Sequence, residues 1–469
     1  MKIRQFKIEY AVVLFFLCRL IGITNPPLEL SHNWRQVTGL MVARNFYENE
    51  CNVFKPCTDE TQGKSGIIGM EFPALNALHY LVAKICSYQH WYGRIINLFI
   101  SSLGLLFFYK LIVISGFTEQ HARYAFFLLA VSIWFSFSRK MMPDTFCVSL
   151  MLIAIFMIFK YIHTNNVYYI LAFIALSTLA ALSKIPAAMY LILVLPICIA
   201  HSCTGNQRLL LMFSMAIPLA AVGFWYFYWN PKLALEYGNW YNSGRSLQTG
   251  FTELTSHLNQ AAQRFYFDAF SGYAGFLMCI TGIILMVYKR FRKALITVIL
   301  LASIFLVYIL KSGYFFYHHN YYIIPFVPVL AFIAAYALTC ITSKRIVVTC
   351  IIIICIEGIL NQQHDFFIKP GEYYKLQAES VMNSVSIQSD KIAVLGSENP
   401  QVLYFSHRKG WVCTENHILD KAYWRNLYRN QCKFILVNMH EVSSQHISQL
   451  PFKTCYKNLD FTVLQCDSL

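Results

Sequence analysis

Acidic side chains are scarce in this sequence, so those that could do chemistry can be taken one at a time. Between Met1 and Asn230 there are nine: Glu9, Glu29, Glu48, Glu50, Asp59, Glu60, Glu71, Glu119 and Asp144. Two of them stand where apolar stretches begin. Glu71 lies in Gly69-Met70-Glu71-Phe72-Pro73, and Asp144 closes Ser138-Arg139-Lys140-Met141-Met142-Pro143-Asp144. A carboxylate at a lipid boundary is costly unless it faces protein or a water-filled cavity. Placed in such a cavity and ionised, it can take a proton from a hydroxyl. Plainer roles compete: Asp144 as a helix N-cap beside a proline, and Glu71 as an exposed partner of Lys64 or Arg35.

The basic and aromatic residues form a second set. Ser31-His32-Asn33-Trp34-Arg35-Gln36 opens an expected amphipathic helix running to about Asn49. Arg35 suits a phosphate, and His32 suits a donor or a base; the alternative is headgroup contact by Trp34 and Arg35. Lys184 follows in Ser183-Lys184-Ile185-Pro186, Arg139 and Lys140 sit close to Asp144, and His318-His319 precede Asn320-Tyr321-Tyr322. Each alone reads equally as a surface charge. Together they suit an anionic, phosphate-bearing group held at one membrane surface, and removing Arg35 or Lys184 is expected to cost folding little. Neither the His nor the Cys spacing matches a metal site, so a divalent metal is allowed but not demanded. Many of the 15 cysteines lie in apolar runs as small hydrophobes, while Cys51 and Cys57 in a polar loop are disulfide candidates if that loop faces an oxidising compartment.

The elements that must position these residues follow from composition. The chain has 469 residues, 57% hydrophobic and 13% charged, about half the usual charged share of roughly 25%. That excludes an ordinary soluble enzyme and a disordered chain. The net charge of +15 is spread in short runs between apolar stretches, which is how a polytopic membrane protein orients itself and not how a nucleic-acid-binding face is built. Apolar runs of spanning length fall at about Tyr10–Thr24, Arg94–Ile114, Ala122–Phe137, Phe146–Ile162, Tyr168–Leu182, Ala187–Ala200, Leu209–Trp229, Gly272–Tyr288, Ala294–Leu310, Tyr321–Ile341 and Ile346–Leu360. That makes about eleven. The first follows Lys2, Arg4 and Lys7 and has no small-x-small cleavage site after it, so it reads as a span starting in the cytoplasm. Leaving Pro73–Tyr88 out of the count puts the clusters Lys289–Lys293 and Ser343–Arg345 inside, so the positive-inside rule makes that stretch an interfacial helix on the outer surface.

The loops Asn25–Phe72 and Asn230–Ser271, the turns Ser138–Thr145, Ser183–Pro186 and Lys311–Asn320, and the tail from Asn361 are then expected outside the cytoplasm. In the tail, Lys391–Leu395 and Lys433–Asn438 read as buried strands between helices near Tyr373–Val385 and Asp420–Asn430. The expected fold class is an all-α polytopic membrane protein over 1–360, with outer-face interfacial helices, carrying a small extracytoplasmic α/β domain over 361–469.

In order along the chain, His32-Asn33-Trp34-Arg35-Gln36 with Ala43-Arg44-Asn45-Phe46-Tyr47, Gly69–Pro73, Ser138-Arg139…Pro143-Asp144, Leu182–Pro186 and His319-Asn320-Tyr321-Tyr322…Pro325…Pro328 resemble the GT-C membrane glycosyltransferases. The likeness is to family 39, the protein O-mannosyltransferases and the lipid A aminoarabinose transferases. It covers about Met1–Leu360, and the tail adds nothing to it. The resemblance implies transfer of a hexosyl or pentosyl group from a polyprenyl-phosphate donor to a glycan, lipid or protein acceptor, with inversion. It also implies a bacterial inner membrane as the setting, membrane lipids as neighbours, and no nucleic-acid partner. By position, Asp144 matches a family carboxylate, Lys184 a cation beside it, and Arg35 the arginine of the first-loop motif. Arg139, His318, His319 and Tyr321 fall in the same substrate-binding set. Many relatives carry an Asp-Glu pair where this chain has His32 and Asn33, so His32, Glu71 and Asp144 all stand as base candidates, Asp144 first. No resident cofactor is implied. A polysaccharide polymerase or ligase, and a lipid or solute transporter, are the alternatives. The first would be expected to carry an Arg-rich late loop and the second internal repeats.

Overall fold

The computed structural model describes residues 7–466 except 30, 50, 201–202, 239–243 and 448; Lys2 and Arg4 of the basic start lie outside the described residues. The chain divides into two compact units. One holds Met1–Ile23, Trp91–Trp229 and Asn242–Phe366, the other Thr24–His90, Asn230–Tyr241 and Phe367–Leu469.

The first unit is helical throughout, as an apolar chain must be where no water can satisfy its backbone. Every one of the eleven apolar runs forms helix. Among the described residues, five helices are long and apolar enough to cross a membrane: Tyr92–Ile114, Pro143–Thr164, Gly205–Tyr237, Arg292–Ser312 and Asn320–Thr339. A sixth crossing is reached if Leu258–Asp268 and Tyr273–Tyr288, bent by 93°, count as one. Several expected spans are shorter or broken. Ala122–Phe137 is interrupted at Ser132, which caps a five-residue helix Ile133–Phe137, and Ala187–Ala200 begins as a 3-10 helix, Ile185–Leu193. Pro186 accounts for that second break, since proline favours the first turn of a helix and cannot continue an earlier one. The helices Tyr92–Ile114 and Pro143–Thr164 pack closely at Gly104, where a Cβ would collide with Ser149 Oγ; small residues permit such approach between membrane helices.

In the second unit, Lys391–Gly396 (β1), Lys409–Thr414 (β2), Cys432–Asn438 (β3), Thr454–Lys457 (β4) and Phe461–Gln465 (β5) form one sheet in the order β2-β1-β3-β5-β4. The first three neighbours are parallel and β5 runs antiparallel to β3 and β4. The two strands expected from the sequence are β1 and β3, the central pair. Ala393, Leu395, Ile435, Val437 and Leu464 meet Trp411 and Trp424 in the core. The tail does not make up this unit alone. Thr61 N donates to Gly410 O at 2.8 Å and Gly410 N to Asp59 O at 2.9 Å, so the loop expected with the transmembrane part is stitched to the edge strand of the tail sheet.

Two expectations change here, for the helix after His32 and for the cysteine pair, while the stretch expected not to cross forms a helix too short to do so. The helix Asn33–Glu48 is buried on nearly every side from Gln36 to Phe46 and is not an amphipathic surface helix, because the loop after it and tail residues around Tyr404 cover it. Ala74–Cys86 has 13 residues, which at 1.5 Å per residue reach about 20 Å, short of a ~30 Å hydrocarbon core. Cys51 and Cys57 are free thiols, with Cys57 Sγ donating to Ser65 O at 3.2 Å.

Candidate active site

Asp144 stands in the first turn of Pro143–Thr164, where the N-cap is Met142 and no side chain caps the helix. The N-cap role is therefore not the one Asp144 plays. The unpaired N–H groups of that first turn favour a negative charge there. The turn before it is fixed by Asn97, fully buried in the helix Tyr92–Ile114. Asn97 Nδ2 donates to the carbonyls of Phe137 at 3.0 Å, Lys140 at 2.8 Å and Met142 at 3.2 Å. Its Oδ1 accepts from Thr145 Oγ1 at 3.1 Å and Ser101 Oγ at 3.0 Å. One amide thus ties the chain on both sides of Asp144 to a neighbouring helix.

Asp144 is 1% exposed. Its Oδ1 is ion-paired with Lys184 Nζ, and its Oδ2 is buried with no hydrogen-bond partner among the described residues. Lys184 leaves the end of Val167–Ser183 in extended backbone (φ −162°, ψ 121°) before the proline-led 3-10 turn, a break that lets a single side chain leave the helix line. Its ammonium lies 4.5 Å from the Tyr321 ring centre and 5.3 Å from that of Tyr322, a setting in which aromatic faces favour a cation. Both rings belong to the 3-10 helix Asn320–Phe326. His319 stacks on Tyr321 at 5.2 Å and meets His318 edge-on at 4.8 Å, while His318 stacks on Tyr314 at 5.0 Å. Tyr308, on Arg292–Ser312, stacks on Tyr322 at 5.9 Å, and its buried hydroxyl has no partner among the described residues. Arg139 and Lys140 are 1% and 0% exposed; Arg139 donates to the carbonyl of Ile21, and Lys140 lies 5.4 Å from the Phe137 ring.

Of the expected residues in this unit, then, Asp144, Lys184 and Tyr321 come together, the two histidines join through Tyr321, and Arg139 and Lys140 support the turn. Asn97 and Tyr308 were not singled out, and Tyr322 entered only as part of the motif beside Tyr321. For Lys184 and Arg139 a plain surface charge was the alternative reading, yet both are shielded, because each has a carboxylate or carbonyl partner that makes burial tolerable.

The other expected residues lie in the second unit. Arg35, in the first turn of Asn33–Glu48, pairs with Glu71, whose side chain is 8% exposed. His32 occupies the N-cap of that helix at φ 59°, without a side-chain cap bond. The same unit holds a second buried pair. Arg44 Nη2 meets Asp59 Oδ2 at 2.5 Å, Asn45 Nδ2 donates to Asp59 Oδ1 at 2.8 Å, and Arg44 Nη1 donates to Tyr404 O at 3.0 Å. Burial works against the Arg44 charge, but Asp59 and the phenols of Tyr404 and Tyr88 more than offset it and hold its pKa above the ordinary arginine value. Among the described residues, no three His, Cys, Asp or Glu side chains converge where they could hold a metal.

The fold of the chain is that of the GT-C membrane proteins, mostly helical with a small terminal sheet. ArnT from Cupriavidus metallidurans bound to undecaprenyl phosphate superposes with a TM-score of 0.63 at 12% identity, over 98% of this chain and 99% of that one. The archaeal oligosaccharyltransferase AglB from Archaeoglobus fulgidus, in complex with an inhibitory peptide and a dolichol-phosphate, matches with a TM-score of 0.56 at 11% identity, over 92% of this chain and 70% of that one. Residues 72–229 match the family model of dolichyl-phosphate-mannose-protein mannosyltransferases, one of the groups the motifs resemble. No curated protein matches the sequence.

Proposed function

We propose that this chain is an integral membrane glycosyltransferase. In this reading it moves a sugar from a polyprenyl-phosphate donor to a hydroxyl of a glycan, lipid or protein acceptor, with inversion, on the non-cytoplasmic face of a bacterial inner membrane. The observation that carries it is the half-used carboxylate: Asp144 Oδ1 is held by Lys184 while Oδ2 is buried and unpartnered. A buried acceptor atom without a donor is unusual in a folded protein, and a hydroxyl to be deprotonated would supply the missing donor. The match of ArnT, crystallised with undecaprenyl phosphate, supports the donor class.

The step follows from those atoms. The acceptor oxygen attacks the anomeric carbon while its proton passes to Asp144 Oδ2. The bond from the anomeric carbon to the phosphate oxygen breaks, and the leaving polyprenyl phosphate takes the electron pair. Lys184, held beside Asp144 and over the two tyrosine rings, balances negative charge on the phosphate as it leaves. Tyr321, His319 and His318 line the approach, and Arg139 keeps the turn in place. The step as written uses only side chains of this chain, with a divalent metal as the alternative that chelation tests. Full turnover after chelation is the expected outcome, and restoration by a divalent ion would overturn that statement.

Purified protein incubated with radiolabelled polyprenyl-phosphate sugars and a membrane extract tests the reaction. Asp144→Asn should abolish labelling; Glu71→Gln and His32→Asn test the rival bases. If Asp144→Asn labels normally and one of those is dead, the base is that residue. Eleven crossings with the tail outside the cytoplasm complete the proposal. A reporter fused after Leu469 that reads cytoplasmic would invert the sidedness.

A further inference from the structure

A second feature of the helical unit lies away from Asp144. Helices Tyr92–Ile114, Pro143–Thr164, Arg292–Ser312 and Asn320–Thr339, with residues 190–199, border a half-open cavity of about 410 Å³, lined by Leu152, Ile155, Phe159, Ile197, Leu301 and Phe332 among others. That volume falls within the ~300–1,000 Å³ of ligand-sized cavities. Along Pro143–Thr164 its lining residues stand 8 to 15 positions beyond Asp144, or about 12–22 Å down the helix axis. Almost nothing polar faces in. The exceptions are Tyr190, whose hydroxyl is bonded to Pro325 O at 2.7 Å, and one end of the cavity, where Ser115, Thr297 and Lys293 sit.

That end is strongly basic. Lys293 donates to the Ser115 carbonyl and lies 5.3 Å from the Phe117 ring, itself part of the lining. Lys289, Arg290 and Arg292 flank it, all exposed. Phe291, between them, packs on Phe117 at 5.7 Å and Tyr336 at 5.1 Å, which pins the basic turn against the cavity wall. The sequence has no acidic residue from Ala269 to Ile356, and Glu119, on the neighbouring helix, is already paired with Arg123 at 2.7 Å. An apolar chamber ending in an uncompensated cluster of cations matches one ligand chemistry: an aliphatic chain carrying an anionic headgroup.

We propose that this cavity is a binding site for an anionic membrane phospholipid. One acyl chain fills the chamber and the headgroup phosphate rests on Lys293 and Arg292. The bilayer supplies such lipids in large excess, and basic pockets between membrane helices favour them at about fivefold per cation. The site is independent of the transferase reading, since neither Asp144 nor Lys184 lines it.

The full chain, purified in a neutral detergent, is mixed with phosphatidylglycerol or phosphatidylcholine of equal chain length, and retained lipid is measured by native mass spectrometry. Phosphatidylglycerol should be retained at least fivefold over phosphatidylcholine. Arg292→Gln with Lys293→Gln should bring that preference down to about unity, and these exposed positions carry little folding risk. Ile296→Trp, at an exposed lining position, should exclude both lipids by blocking the chamber with the thermal midpoint unchanged. Equal retention of the two lipids, or retention indifferent to both the charge and the tryptophan variants, overturns the proposal. One-for-one displacement of phosphatidylglycerol by polyprenyl phosphate also overturns it, because the chamber would then belong to the donor's tail.

Discussion

The two units each hold a buried carboxylate–cation pair, and the pairs differ in one respect. In the second unit both oxygens of Asp59 are used: Arg44 takes one and Asn45 the other, and Arg44 is shared with Tyr404 through its carbonyl and, at 4.3 Å, its ring, while Arg44 Nε is buried without a hydrogen-bond partner among the described residues. In the helical unit Asp144 has one oxygen on Lys184 and the other on nothing described, while Tyr308, against Tyr322, brings a second buried polar atom without a hydrogen-bond partner among the described residues. A closed network of buried charges holds a structure together, whereas an open one leaves a position where a ligand atom fits. Burial alone would rank the two sites equal. Saturation separates them.

The sharpest way to break that contrast is to make the same isosteric change in both. Asp144→Asn removes the carboxylate oxygen proposed to accept the proton, so turnover should fall about 10²–10⁴-fold. The amide oxygen still accepts from Lys184, whose ammonium keeps the two tyrosine rings and some exposure to solvent, so the thermal midpoint should fall less than for the matching change in the second unit. Asp59→Asn strips the charge from a buried arginine's partner and should cost about 3–5 kcal/mol, with turnover per folded molecule intact. Urea unfolding and initial rates on both variants decide it. Equal stability losses with equal activity losses would end the distinction.

Lys184→Gln sharpens the same point from the cation's side. Sequence alone made this an inexpensive surface change, but the structure leaves Asp144 buried without its partner, so the variant should lose about 3–5 kcal/mol as well as activity. The double variant Asp144→Asn/Lys184→Gln removes both charges and should regain most of that stability with no activity. A double variant as unstable as Lys184→Gln would mean the pair is not the cause.

How much of this was legible follows from where the partners lie in the chain. Asp144, Lys184 and Tyr321 could be picked out because each breaks an apolar stretch beside a proline or a histidine pair. Asn97 and Tyr308 could not: each is one polar group inside a spanning helix, and helical periodicity in a wholly apolar run does not say which way a residue faces. The burial of Asn33–Glu48 was hidden for another reason. Its cover includes Tyr404, 360 residues away from Arg44, and no local pattern reports so distant a neighbour. The central strands β1 and β3 read as apolar runs, whereas β2 starts Lys409-Gly410 and β4 is four residues, mostly exposed.

Tyr308→Phe is expected to have a smaller effect. A hydroxyl with no protein partner costs nothing to delete, so stability should hold or rise slightly. If the hydroxyl donates to bound substrate, turnover or donor affinity should drop about tenfold, the worth of one good hydrogen bond. Tyr322→Leu keeps an apolar side chain there and should cost more, because it removes the ring under Lys184. Unchanged kinetics in Tyr308→Phe would leave Asp144 Oδ2 as the one open polar atom of the site among the described residues.

The smallest effect belongs to His407, in the closed unit. Its Nε2 meets Glu48 at 2.5 Å and its Nδ1 meets Glu379 at 3.0 Å. The hydrogen bond to Glu48 raises the imidazole above its ordinary 6.5, against the opposing effects of burial and Arg44. Burial pushes Glu48 upward, but His407 outweighs it and leaves the carboxyl below its ordinary 4.5. The raised histidine contributes stability that is fully present below 6.5 and lost as pH climbs through the higher native value. The lowered glutamate contributes above 4.5 and loses its share as pH falls through its own native value. Both act together between those limits, so His407→Gln should lower the thermal midpoint at pH 6 and leave it unchanged at pH 9. With the side chains 26% and 31% exposed, solvent limits the gain to less than about 1 kcal/mol. The same deficit at both pH values would mean that His407 packs without ionising, and that the rim of the closed network owes nothing to charge.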